Sequence, residues 1–572
     1  MSSTVQTVGD EGATMPAGAA PSEFLSLPAE VIERILTFSD PRDVSGYAQT
    51  CRYARKLVYE AEDQYLWREL YLGRPFDDLR RGIATPKGRI TVPSLSGTFD
   101  PSDPKEDARW RPELQRRVRA ELIASSGTRD AELLQTAYEA FLSAIDTAIP
   151  VPMDGADSEL QEVAAAGKEL EDRDSPSTPA ALSRSENIRW VDRVLRKTRL
   201  LDVLPVYTGA IVNIPSLEQL NADGSVSPSE YDLEDARADP DGIDIPYPEV
   251  CWVPSRFLQA QQMRARLRAC VALSHESSFE IESRVRMAKL RKASRAFVYD
   301  MRKYQLSTLW GPYRTGEDGR TVLANWEHVE HILNVVGLKL REIPISSLGY
   351  FKKPLFQMDA LRAYTAVGAA QRAEDDWAGV SGTWRRFVCF MDYRDLYTYN
   401  YSTLPPGPHD PDFFDDPFDE ALRPVELTLE LITRDDYLAE SHRIPFDPST
   451  SSTRRASRGG PIGDCDHDPR FPTLYFKGYS RGAQHSNDAT IRGKVSTLSD
   501  GAVRWHFVTS YDGRMQWGAE GVQVGHVCSA AGVAGIWTGA HHDRERIDDP
   551  AGPFWMVKVS DGLPNGVLNT LH

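Results

Sequence analysis

The sequence predicts an α+β chain of several domains: a trihelical module near the amino end, a mostly helical middle, and a carboxy-terminal antiparallel β-rich domain, barrel or sandwich. Three observations lead there. The stretch "FLSLPAEVIERILTFSDPRDVSGYAQTCRYARKLV", residues 24–58, packs two helix starts and an apolar spacing of three and four into one short segment. Helical apolar spacing recurs through the middle of the chain. From about Thr383 the pattern turns to short β-branched and aromatic runs separated by Gly, Asp and Asn, the signature of strands joined by tight turns.

At 572 residues the chain exceeds a single hydrophobic core, so several domains are expected. Apolar residues at 41% and charged ones at 26% suit globular domains joined by looser segments. A net charge of -17 works against general nucleic-acid binding, which needs a basic face toward phosphate. The six cysteines lie far apart with no CxxC pair, which fits reduced thiols rather than a disulfide framework. No Lys or Arg precedes Arg34 and no eighteen apolar residues run together, so neither a secretory signal nor a membrane span is expected. The expected location is cytoplasm or nucleus.

Taken in order, residues 1–22 are rich in Gly, Ala, Ser and Thr and read as a disordered tail. The helical module occupies 23–82. Pro28 suits a first helical position, and Glu30 complements the positive helix end. Val31, Ile35 and Leu36 form a short apolar stripe. Asp40, Pro41 and Asp43 repeat the start signal, and Val44, Ala48, Cys51, Ala54, Leu57 and Val58 then recur at three or four residues. Leu66, Trp67, Leu70 and Tyr71 complete the third helix. So small a core is expected to bury part of its apolar surface on a partner or on the following domain.

Residues 83–182 read as a linker with one helical segment, 112–148. The region 183–370 reads as mostly helical, interrupted by an acidic loop at 224–249 that holds eight acids against one Arg. A long helical region is expected from about Pro254 to Tyr304, and a shorter helix capped by Asn325 with Trp326, Val329, Leu333, Val336 and Leu340 on one face. The β-rich domain spans 371–572 with a flexible insertion at 440–470. "TWRRFVCFMDYRDLYTYN", "PVELTLELIT", "TLYFKGY", "TIRGKVSTL", "AVRWHFVTSY", "EGVQVGHV", "GVAGIWTG" and "PFWMVKV" are its expected strands.

Several constellations invite chemistry and mostly lack what it needs. "DCDHD", residues 464–468, has no second ligand pair at zinc spacing. His328 and His331 miss the i,i+4 spacing of a zinc helix and read as surface or capping residues. His541, His542 and Asp543 near Asp548 and Asp549 carry no nucleophile elbow or phosphate loop, although a hydrolytic or sugar-active site is the alternative reading there. The basic run 284–303 reads as a solvated helix face balanced within the chain. No metal and no cofactor is expected.

The array "LPAEVIERILTFSDPRDVSGYAQTCRYARKLVYEAEDQYLWRELYL" resembles an F-box: Leu-Pro-x-Glu-Val, the Ile-Leu pair, Asp-Pro-x-Asp, Cys-Arg and Leu-Trp-Arg follow in order over about fifty residues. The resemblance implies docking on a Skp-type adaptor tied to a cullin scaffold, with Leu27, Pro28, Val31, Ile35, Leu36, Val44, Cys51 and Trp67 as contacts or supports. Ser39 departs from it, standing where an aliphatic residue is common. It implies a non-catalytic substrate-recognition subunit of a ubiquitin ligase, the β-domain holding a protein degron; a ligase-independent F-box scaffold that binds the adaptor but presents no substrate is the alternative. The carboxy half, through "DWAGVSGTWRRFVCFMDYRDL" and the "GVQVG…GVAGIW…DPAGPFW" ending, is similar to fungal F-box proteins and to the animal F-box protein that captures cyclin D in a β-barrel. Tyr475, Arg492, Trp505, Gln523 and Trp537 are the candidate substrate contacts; Trp505, Trp517, Trp537 and Trp555 can equally fill a barrel core.

Overall fold

The computed structural model describes residues 27–61, 64–79, 110–150, 185–203, 255–342, 358–369, 371–401, 409, 412–415, 418, 420–441, 471–481, 489–542 and 549–559. The tail, the acidic loop 224–249 and most of the insertion 440–470 lie outside them. The chain divides into two compact units, residues 1–74 with 109–115, and residues 75–108 with 116–572.

The first unit holds four short helices: α1 (Ala29–Leu36), α2 (Pro41–Ala48), α3 (Arg52–Tyr59) and α4 (Tyr65–Leu72). Pro28 stands at the N-cap of α1, one residue before the position expected for it. Asp40 caps α2 as read: its Oδ1 accepts the Arg42 N–H at 2.9 Å and its Oδ2 the Arg74 guanidinium at 2.7 Å. The segment read as one second helix is divided, because Cys51 is extended (φ -157°) and its Sγ caps a new helix through the Ala54 N–H at 3.4 Å. Ile32, Leu36, Val44, Ala48, Ala54, Val58, Leu66 and Leu70 form the core. Trp67 stacks on Tyr59 and donates its indole N–H to the Val58 carbonyl at 2.8 Å.

In the second unit the helical region 254–304 consists of two helices, Ser255–Val271 and Ile281–Val298. The break is built in: Ala272 and Leu273 take positive φ, and the Arg341 guanidinium donates to the Leu273 and Glu276 carbonyls at 2.7 and 3.1 Å. Asn325 caps helix Trp326–Glu342, accepting the His328 N–H at 3.2 Å. That helix is buried on nearly every side rather than along one face. A two-stranded hairpin, β1 (Tyr313–Thr315) and β2 (Val322–Ala324), stands where helix was expected. Its turn carries Asp318 and Gly319, and Gly319 has φ +66°.

Eight antiparallel strands then close into a barrel: β3 (Gly382–Met391), β4 (Glu420–Ile432), β5 (Leu474–Arg481), β6 (Ala489–Thr497), β7 (Val503–Tyr511), β8 (Arg514–Gln523), β9 (Val533–Gly539) and β10 (Ala551–Val559). Each strand pairs with the next in sequence, and β10 returns to β3, so no edge is left open. An eight-strand barrel is just wide enough for its own side chains to fill. Trp384, Phe476, Trp505, Phe507 and Phe554 do so. Gly532, at φ +75°, lies where any side chain would collide with the Met556 carbonyl. "MDYRDLYTYN", read as strand, is instead helix Tyr393–Tyr401, because Asp392 caps it through the Arg394 N–H at 2.9 Å.

The hairpin is clamped to the barrel. Tyr313 donates its hydroxyl to Glu520 Oε2 and to the Gly521 carbonyl, both at 3.0 Å, while Arg504 forks onto the same carboxylate at 2.7 and 3.0 Å. Burial alone would raise the Glu520 pKa, but Arg504 and His506 outweigh it and hold the carboxyl at about 2.

Candidate functional site

In the first unit the candidate residues sort into two sets. Val31 and Ile35 are 43% and 42% exposed, Pro28 is exposed and Leu27 half-buried. Leu36, Val44 and Trp67 are buried, and Cys51 is half-buried as the cap of α3. Only the first set is available to a partner; the second holds the helices that present it. Ile32 and Leu36 are buried on the adjoining face of α1, so the helix carries an apolar arc wider than its own unit covers. Phe38, 79% exposed beneath the Arg34 guanidinium, extends the outer stripe and was missed. Its spacing was the signal: Val31, Ile35 and Phe38 follow one another at four and three residues.

The five residues singled out in the carboxy half do not converge. Tyr475 and Arg492 meet at Tyr437: the rings of Tyr475 and Tyr437 lie 4.9 Å apart, and Arg492 sits over Tyr437 and donates to its carbonyl. They fasten helix Arg434–Ser441 to β5 and β6. Trp505 is 0% exposed inside the barrel, which corrects its reading as a contact. Its indole N–H donates to Gln523 Oε1 at 3.3 Å, and Gln523 in turn donates to the His526 carbonyl at 2.7 Å, so both polar ends of that amide are engaged within the chain. Trp537 packs against the barrel core and donates to the Cys389 carbonyl at 2.9 Å, edge to face with Trp517. Gly552 makes room for that ring, since a Cβ there would lie 2.7 Å from the indole nitrogen.

Gln523 does line a cavity of about 660 Å³ within the second unit, a size that suits a small molecule or a short peptide segment. Its walls come from helices Ala131–Asp146 and Ser255–Val271, the β1–β2 hairpin, and the barrel turns near Asp500 and His526. Leu142, Met263, Trp326 and Val503 supply apolar surface. Arg266 donates to Asp146 Oδ1 at 2.8 Å, leaving Asp146 Oδ2 and the Arg314 Nε buried with no hydrogen-bond partner among the described residues. Burial raises the Asp500 pKa despite the N–H groups of Ala324 and Ala502 that it accepts. The cavity thus joins charged side chains, among them Asp146, Arg266, Arg314 and Asp500, to an apolar wall.

The other constellations take ordinary places. His328 and His331 are buried rather than on the surface, which corrects that reading: His331 Nδ1 lies 2.9 Å from Ser294 Oγ, and His328 Nε2 lies 3.2 Å from the Tyr304 hydroxyl. Burial drives the His328 pKa well below the ordinary imidazole value. His542 stacks on Trp310 at 3.8 Å, with Asp549 beside it. "DCDHD" and Asp543 and Asp548 lie outside the described residues, among which no three potential ligands gather for a metal. The basic helix is balanced within the chain: Arg286 pairs with Glu276, Arg291 with Glu342, Lys292 with Asp412 and Asp415, and Arg295 with Glu420. No helix among the described residues is long and apolar enough to cross a membrane.

Nothing among curated proteins or solved structures matches the chain. A family model does: residues 24–73, which contain α1 to α4 and the exposed Val31–Ile35–Phe38 stripe, match the F-box-like family, so this chain carries an F-box-like domain there.

Proposed function

We propose that this protein is the substrate-recognition subunit of a cullin-type ubiquitin ligase. Its F-box docks on a Skp-type adaptor that is joined to the cullin, and the second unit holds a protein degron. The subunit itself makes and breaks no bonds. Its contribution is effective concentration, keeping the degron near the charged conjugating enzyme.

The single observation that carries this reading is the F-box-like match at 24–73, supported by an apolar stripe on α1 that its own unit leaves uncovered. Apolar anchors of this kind supply most of the affinity when a helix seats in a groove. Val31, Ile35 and Phe38, with Pro28 and Leu27 beside them, are the contacts in this reading; Leu36, Val44, Cys51 and Trp67 hold them in place. For the degron, the cavity bounded by Asp146, Arg314 and Trp326 is favoured over the five dispersed residues, because it joins charged side chains to apolar wall in one concave space.

Recovery of the adaptor on the full chain is the test, comparing wild type with Val31→Ala/Ile35→Ala and with Leu27→Ala/Pro28→Ala. Loss of adaptor from folded variants is the expected result. Equal recovery by all three would remove the proposal.

A further inference from the structure

Arg314 is the middle residue of β1, the strand whose Tyr313 is clamped to Glu520 of the barrel. Successive side chains of a strand point to opposite faces, so that clamp turns Arg314 away from the barrel and onto the cavity wall. Leu323, its partner across the hairpin, lines the same cavity. Arg314 is half-buried, and among the described residues it makes neither a hydrogen bond nor an ion pair. Of its nitrogens only Nε is sealed off; the two terminal ones remain within reach of a ligand. Other charged groups of the cavity are committed. Arg266 donates to Asp146 and lies 5.1 Å from the centre of the Trp326 ring. Asp500 accepts the N–H groups of Ala324 and Ala502 at 3.0 and 3.2 Å. Asp318 accepts those of Thr321 and Arg320 at 2.8 and 3.0 Å, which closes the hairpin turn.

Burial pushes the Arg314 pKa below its ordinary value, with Asp500 and Glu317 opposing that through space, and an arginine stays a cation at neutral pH. A partly desolvated cation with no partner is the unfavourable state, and an anion seated on it restores the missing hydrogen bonds. Two terminal nitrogens of a guanidinium form a planar fork that fits a carboxylate through two parallel bonds. Carboxylates already on the cavity wall repel a doubly charged group more than a singly charged one, which favours a carboxylate over a phosphate dianion. Apolar surface flanks the fork: Leu323 opposite, Leu258 and Met263 from one helix, and Trp326 from the next. Leu258 is 38% exposed, so this surface reaches the open side of the cavity.

We propose that Arg314 recognises an acidic side chain, Asp or Glu, of a peptide bound in this cavity, with the peptide's neighbouring apolar residues seated on Leu258, Leu323 and Trp326. Resting on the reading of the cavity as the degron site, this specifies the degron: an acidic residue between apolar ones. Adaptor docking takes place on the other unit, so its failure is a separate result.

The test uses the full chain and titration calorimetry, taken to millimolar ligand, on wild type, Arg314→Met and Arg314→Lys. The probes are the peptide Ala-Leu-Glu-Leu-Ala with both ends capped, its Gln and Lys counterparts, sodium glutarate and inorganic phosphate. Wild type should bind the Glu peptide about 10-fold or more tighter than each of the others. Arg314→Met should weaken the Glu peptide by about 10- to 150-fold, the value of a charge-assisted hydrogen bond. It should leave the Gln peptide unchanged, which shows the cavity intact. Arg314→Lys, which keeps the charge and loses the fork, should fall between. The wild-type series decides by itself even where a variant fails to fold. Gln or Lys peptide binding as tightly as the Glu peptide would overturn the proposal and leave the cavity as a degron site. Tighter binding of glutarate or phosphate than of the Glu peptide would overturn it as well. No binding by any of the three peptides would remove the degron reading of the cavity together with the proposal, while adaptor recovery would still stand.

Discussion

Replacing Val31, Ile35 and Phe38 together by Ala should abolish most adaptor binding and leave the fold standing. The magnitude follows from exposure. Complete burial of a Val, Ile or Phe side chain is worth about 1.5–3 kcal/mol. Here 43%, 42% and 79% of these residues' surfaces remain for a partner to cover. Scaled by those fractions, and allowing for the Cβ that alanine keeps, the triple variant loses about 2–4 kcal/mol of binding. That is a rise in Kd of roughly 30- to 700-fold. Stability should move by no more than about 0.5 kcal/mol per site, since these are surface positions. Leu36→Ala is the control on the other face of the same helix: at 5% exposure it should cost about 2–5 kcal/mol of folding stability. Calorimetric titration of purified adaptor, with circular-dichroism melts of each variant, separates the two effects. Wild-type affinity in a folded triple variant would show that α1 is not the docking face.

Further outcomes follow from the second unit. Glu520 titrates near 2 in the fold against 4.5 in the unfolded chain, so its contribution is complete above about pH 4.5 and fades as pH falls toward 2. Melts from pH 7 to pH 3 should show that loss, and Glu520→Gln should flatten it while lowering stability at neutral pH; an unchanged acid limb would refute the role of the Arg504–Glu520–His506 cluster. Buried, neutral His328 acts in the same direction below pH 6.5, because the unfolded chain takes up a proton that the fold refuses, and His328→Phe should reduce that slope. Trp505→Ala should cost about 3–5 kcal/mol of stability in a denaturant titration, as expected of a core filler; a loss of binding at unchanged stability would restore it as a contact. Gly532→Ala combines left-handed backbone with a collision against the Met556 carbonyl and should destabilise by more than about 3 kcal/mol, or prevent soluble expression.

Local signals carried well from sequence to structure. Asp40 before Pro41, Asn325 before Trp326 and the β-branched runs after Thr383 each formed the element they announce, because a cap or an alternating face is written within a few neighbouring residues. Where two local signals compete, spacing alone chose wrongly. Cys51 ended a helix that the apolar period would continue, Asp392 started one inside a strand-like run, and Asp318-Gly319 turned a hairpin within a region of helical composition.

What the sequence determined by itself is the kind of module at residues 24–73 and the strand character of the carboxy end, since both depend on contacts and caps close along the chain. Only the tertiary structure decided which apolar residues of α1 face outward, that Trp505 lies inside the barrel, and that Arg386 is buried on the inward face of β3 while Arg385 beside it stands opposite Glu426. Those are properties of which strand closes on which, and burial is set by neighbours far away in sequence.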